Sequence, residues 1–210
     1  MIPELPTAAP RPSLIRYTTI SFFLLLAAFV VQQFVPAFTG LFYSRVLLVH
    51  LVFLCIAVTV GSPTMLLLAF IGGFLWDAHS AIGPHGGDPD VYTQPVESLR
   101  FGFSILLFGA LGYLMQGVRP LFQQGKWQVS AVLTGIAILI YLFVEFMLIN
   151  FVRGEFVFRP EIAGQMLVTA GITMLFSPFV FWMLFKLSLL CDHPILIVEY
   201  NKRRRPRWVS

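Results

Sequence analysis

Charge is what this chain has least of. Of 210 residues, 14 are Lys or Arg and 10 are Asp or Glu, so 11% are charged while 58% are hydrophobic. A soluble domain carries roughly 25% charged residues. A chain this apolar cannot cover its own surface with polar groups, which excludes an ordinary water-soluble domain and makes lipid the expected solvent. Cysteine is nearly absent too: Cys55 lies within an apolar run and Cys191 at the end of one. Neither belongs to a C-x-x-C pair, so both read as small buried hydrophobes. Nothing repeats at a fixed period. No H-E-x-x-H helix and no Ser/His/Asp constellation appears, so no catalytic residue, metal or cofactor is assigned.

What the chain has is long apolar runs. About 30 Å of hydrocarbon takes roughly 20 helical residues. Six segments come near that length: about 17–38, 42–60, 63–76, 99–118, 127–151 and 162–190. They are continuous and do not alternate, which argues for helices over a barrel. Ser62 suits an N-cap and Pro63 a first helical position, so the third helix should start there. Pro178 lies inside the sixth and should kink it. The expected fold is an all-α integral membrane protein, a compact bundle of six transmembrane helices spanning 16–190. A Pro-rich cytoplasmic tail (1–15) precedes it and a basic tail (191–210) follows. The first run is too long for a signal-peptide core and reads as an uncleaved span.

Lys and Arg near helix ends set orientation. With both termini in the cytoplasm, the inner flanks hold Arg11, Arg16, Arg119, Lys126 and the tail cluster Lys202, Arg203, Arg204, Arg205 and Arg207. The outer flanks hold Arg45, Arg100, Arg153 and Arg159, with Asp88, Asp90, Glu97, Glu155 and Glu161. The tail decides for N-in, C-in. Its charges read as lipid or partner contacts and not as a nucleic-acid site.

The outer segment at about 78–98 is rich in turn signals: Gly83-Pro84, Gly86-Gly87 and Asp88-Pro89. His79, His85, Asp88 and Asp90 could be counted as ligands, but no i, i+4 spacing or knuckle organises them. The segment reads as a solvated loop with no metal. Deeper in the spans, Arg100 should face Glu145, because residues equidistant from a turn near 123 share a depth. A carboxylate within a span costs about 2.5–3.5 kcal/mol on insertion scales and seeks a partner. His50 and Asp77 share that depth. The four form a candidate polar cluster, either fixing helix packing or supporting a partner. Lys186 can snorkel to the interface. On the fourth helix, Gly102, Gly109 and Gln116 recur every seven residues, with Gly112 beside them. This is a candidate close-packing face.

Several of these stretches together resemble the MreD family, membrane subunits of the bacterial rod-shape machinery. They are GFLWD at 73–77, SLRFG at 98–102, Gly112-Tyr113, and TMLFSP at 173–178 followed by Phe and Trp. The resemblance covers roughly 16–190. The segment between Asp77 and Arg100 is longer than the family's compact link, so no family role is carried onto it. The resemblance implies a non-enzymatic scaffold in the bacterial cytoplasmic membrane. Its implied partners are MreC, the actin-like MreB, RodA and a class B penicillin-binding protein, which together organise peptidoglycan synthesis and cell shape. It also implies a six-helix fold similar to the substrate-binding subunits of vitamin transporters. A transporter subunit of that kind is the chief rival, with a small ligand in the outer polar cluster. Against it, the first span reads LLLAAFVV at 24–31 and lacks the A-x-x-x-A coupling pattern. A lipid-metabolising membrane enzyme is a third reading, for which the inner face offers little but Arg119, Lys126 and the tail.

Overall fold

The computed structural model describes residues 12–38, 40–42, 44–81, 101–124, 126–153 and 160–191. These residues form six helices: α1 (Pro12–Gln32), α2 (Leu48–Thr59), α3 (Ser62–Ala81), α4 (Phe103–Gln123), α5 (Trp127–Arg153) and α6 (Pro160–Leu190). Among the described residues the only β feature is one antiparallel bridge between Phe38 and Ser44. Four stretches are long and apolar enough to cross a membrane: Ser13–Gln32, Phe103–Gln123, Trp127–Phe151 and Pro160–Leu190.

The second expected span, 42–60, is the largest departure. Its helix has only 12 residues, about 18 Å at 1.5 Å per residue. The chain before it is taken up by a turn. Phe42 has a positive φ of 53°. Phe38 N–H donates to Ser44 O at 2.8 Å, and Ser44 N–H to Leu41 O at 2.9 Å. These bonds hold Phe38, Leu41 and Ser44 out of the helix. The first helix stops at Gln32, short of Pro36. The third runs past Trp76 and Asp77 to Ala81, so residues 78–81 are helical and not loop.

Eleven of the 12 α2 residues are buried. A helix apolar on all sides belongs in a core, and α2 packs against α1, α3, α4, α5 and α6. It is the axis on which the bundle is built. The outward faces of the other helices are apolar as well: Leu106 is 70% exposed, Leu175 73% and Phe179 61%. In water such surfaces would drive association.

The tightest helix pair is α3 with α4. A Cβ on Gly73 would fall 2.5 Å from Ile105 Cα and 2.6 Å from its amide nitrogen, so the two backbones meet there. Farther along α4, a Cβ on Gly112 would strike Met65 of α3 and Phe53 of α2. The other members of the expected glycine face behave differently. Gly102 precedes α4 with a φ of 103°, and a Cβ on Gly109 would meet nothing within 4 Å. The buried stripe of α4 is instead Ser104, Phe108, Leu111, Gly112, Met115 and Phe122. Of the seven-residue set, Gly102 and Gln116 meet neighbouring helices through hydrogen bonds, to Asp77 and to the last carbonyls of α2, while Gly109 has open space beside it.

Pro178 lies within α6, and the helix continues through it. Proline has no N–H to offer the carbonyl four residues back. That carbonyl belongs to Met174, and Ser177 Oγ donates to it at 2.8 Å. The neighbouring hydroxyl takes the place of the missing bond, which is how an apolar helix tolerates an internal proline.

Replacing Gly73 with Leu should therefore lower the melting temperature of the detergent-purified chain, at the overpacking cost of about 1–3 kcal/mol or more. Gly109→Ala should leave it within error. Equal effects would contradict the packing described for α4.

Candidate polar site

A helix that ends inside a bundle leaves up to four N–H and four C=O groups without intrahelical partners. For α2 the partners come from side chains of other helices. At its start, the α1 residue Gln32 acts twice. Its Oε1 accepts from Leu48 N–H at 2.6 Å, and its Nε2 donates to Val46 O at 2.9 Å. Two threonines of α6 accept beside it, Thr173 Oγ1 from Leu47 N–H at 3.2 Å and Thr169 Oγ1 from Arg45 N–H at 3.4 Å. At the other end, Gln116 Nε2 of α4 reaches Ala57 O at 2.5 Å and Val60 O at 3.0 Å. There too Tyr17 of α1 donates its hydroxyl to Thr59 Oγ1 at 2.9 Å.

One turn into α2 lies His50, 2% exposed. Three aromatic rings surround it: Trp76 of α3 and Phe108 of α4 at 4.6 Å each, and Tyr141 of α5 at 4.1 Å. Neither ring nitrogen meets a hydrogen-bond partner. The edge-on Trp76 ring, at 83°, allows at most weak ring-directed contacts, which are second-order in energy.

Asp77, next to Trp76, is 5% exposed. Its Oδ2 accepts from Gly102 N–H at 2.6 Å, a short bond. It ties the last turns of α3 to the residue that opens α4, where a positive φ suits glycine. Tyr141 donates its hydroxyl to Glu145 Oε1 at 3.5 Å, one turn along α5. Tyr141 also neighbours Ser104 of α4.

The structure thus gathers His50, Asp77 and Glu145 at one level, with Tyr141 between them. Arg100, the expected partner of Glu145, lies outside the described residues. So do His85, Asp88, Asp90 and the tail residues Lys202, Arg203, Arg204, Arg205 and Arg207. His79 is described: it sits in the last turn of α3 with its ring edge-on to Phe29 at 6.0 Å. Among the described residues no group of three His, Cys, Asp or Glu side chains is arranged to hold a metal ion. Chemically the cluster joins helices: a carboxylate clamps a backbone amide, and rings fill the space around an imidazole.

The sequence reading missed the residues that cap α2. Gln32 and Gln116 carried a usable signal, since a primary amide in an apolar span needs partners as much as a charge does. Gln116 was instead assigned to a packing face. Thr169 and Thr173 carried no such signal, because Thr is ordinary in a helix and can bond its own turn; Thr173 Oγ1 does donate to Thr169 O at 2.6 Å. Comparison with protein-family models, curated proteins and solved structures finds no match.

Gln116→Leu should lower the melting temperature, because stranding a buried polar group costs about 1–3 kcal/mol. His50→Phe removes nitrogens that meet no partner, so it should keep or raise the melting temperature. A larger loss for His50→Phe than for Gln116→Leu would contradict the assignment of roles.

Proposed function

We propose that this protein is a non-catalytic membrane scaffold of the cell-elongation machinery, of the MreD kind. In this reading it is a multi-pass protein of the bacterial cytoplasmic membrane, N-in and C-in, that helps organise peptidoglycan synthesis and cell shape. The support begins with the resemblance at 73–77, 98–102, 112–113 and 173–178. One structural observation carries it further. Gly73, Asp77 and Gly102, which come from two separate motif stretches, form a single joint between α3 and α4. A motif that builds a joint fits a protein whose work is to present rigid helix faces to others. Exposed apolar side chains on α1, α3, α4, α5 and α6 offer such faces to lipid and to partner helices. The proposed partners are MreC, MreB, RodA and a class B penicillin-binding protein.

The rival, a small-molecule-binding transporter subunit, would seat its ligand at the level of His50, where Trp76, Phe108 and Tyr141 crowd the imidazole. Affinity recovery of the tagged full chain from membranes of a rod-shaped bacterium separates the two. The scaffold reading expects MreC and RodA to co-purify and expects Asp77→Leu to weaken recovery while the chain still inserts. Recovery of a vitamin-sized molecule and a transporter ATPase in their place would reverse the assignment. Neutralising Lys202, Arg203, Arg204, Arg205 and Arg207 together should weaken partner recovery without loss of insertion. Unchanged recovery would leave the tail a role in topology and lipid anchoring only.

A further inference from the structure

We propose that the end of the bundle where α1 begins seats the phosphate of an anionic phospholipid headgroup on Arg119. The described carboxylates are confined to one end of the bundle, which also holds Arg45 and Arg153. The described carboxylates, Asp77, Glu145 and Glu161, lie toward the end where α3 finishes and α6 starts. The opposite end carries Arg16, Arg119, Lys126 and Lys186, and no described carboxylate. The depth of each follows from its neighbours. Tyr17, beside Arg16, bonds Thr59 at the close of α2. Phe122, three residues past Arg119, stacks on Phe185, beside Lys186, at 5.6 Å.

Arg119 is the member placed to hold an anion. It lies on the buried stripe of α4, between Met115 at 2% exposure and Phe122 at 0%. Gln116, one turn earlier, spends its amide on the last carbonyls of α2. Arg119 Nε is shut off from water and meets no acceptor. A half-buried guanidinium with an unsatisfied donor, and with no described carboxylate at its end of the bundle, is a seat for an anion. Its planar fork matches a phosphate. The surroundings favour a lipid over a free ion. Trp182 is 57% exposed and Leu190 83%, and Lys186 Nζ sits 5.7 Å over the Trp182 ring. That apolar flank beside basic groups suits acyl chains below a headgroup.

This inference rests on the chain being membrane-embedded, and its test is separable from that reading. The full chain, purified in a neutral detergent, is melted with added short-chain phosphatidylglycerol, phosphatidylcholine or inorganic phosphate. Phosphatidylglycerol should raise the melting temperature, and the other two should not. Arg119→Gln should abolish most of that rise, while Arg16→Gln should keep it. If Arg119→Gln does not fold, Arg119→Lys takes its place and should retain less than half of the rise, because an ammonium lacks the fork. A full rise in the Arg119 variant overturns the proposal. So does an equal rise with inorganic phosphate, which would mean a free-anion site. Either failure leaves the membrane reading intact as long as the chain still needs detergent to stay in solution.

Discussion

The structure depends on a short helix that begins and ends inside a bundle. With 12 residues, α2 cannot carry its terminal amides and carbonyls out to water as a full span does. Each unpaired group would cost several kcal/mol in an apolar medium. The bundle meets that constraint by bringing Gln32, Thr169, Thr173 and Gln116 to the two ends of α2. Those bonds fix more than local satisfaction. They set the depth of α1, α4 and α6 relative to α2, so the register of the bundle is written in hydrogen bonds. Close packing adds to that register where Gly73 meets Ile105 and Gly112 meets Met65 and Phe53.

The same economy recurs where helices are interrupted or polar. Ser177 serves the carbonyl that Pro178 leaves free, and Asp77 takes up the amide of Gly102. Thr134 and Asn150 donate to carbonyls four residues back in their own helix, at 2.8 Å each. Arg119 Nε, the hydroxyls of Ser21, Ser44 and Ser130, and the His50 nitrogens fall outside this pattern. His50 is a buried imidazole among aromatic rings, so it contributes shape more than bonding.

Much of the architecture was legible in the residues. Long apolar runs mark α1, α4, α5 and α6, the four helices long and apolar enough to cross a membrane. The Ser62-Pro63 pair marks the start of α3. The common depth of His50, Asp77 and Glu145 follows from counting residues back from turns. The length of α2 was not legible. Its run, 42–60, apolar or small but for Tyr43, Arg45 and His50, is ambiguous between a span and a shorter helix with an extended lead-in. The decision rests on the bridge between Phe38 and Ser44 and on caps from Gln32, Gln116, Thr169 and Thr173, of which the two threonines lie more than a hundred positions away. The packing role of Gly73 and the idleness of Gly109 were likewise invisible, because both depend on which neighbour passes by. Non-local contacts of this kind leave no local pattern.

A rigid joint at α3–α4, a capped axis at α2 and apolar outer faces together suit a protein that acts by holding its shape against others. The central claim is that α2 is the fixed axis, closed at both ends by side chains of other helices. Amide hydrogen exchange of the full chain in lipid nanodiscs tests it most directly. The account predicts that 47–60 is the slowest-exchanging segment, with the amides of Leu47 and Leu48 as protected as those in the middle. Exchange of those two amides as fast as in the frayed turns of the outer helices would contradict it.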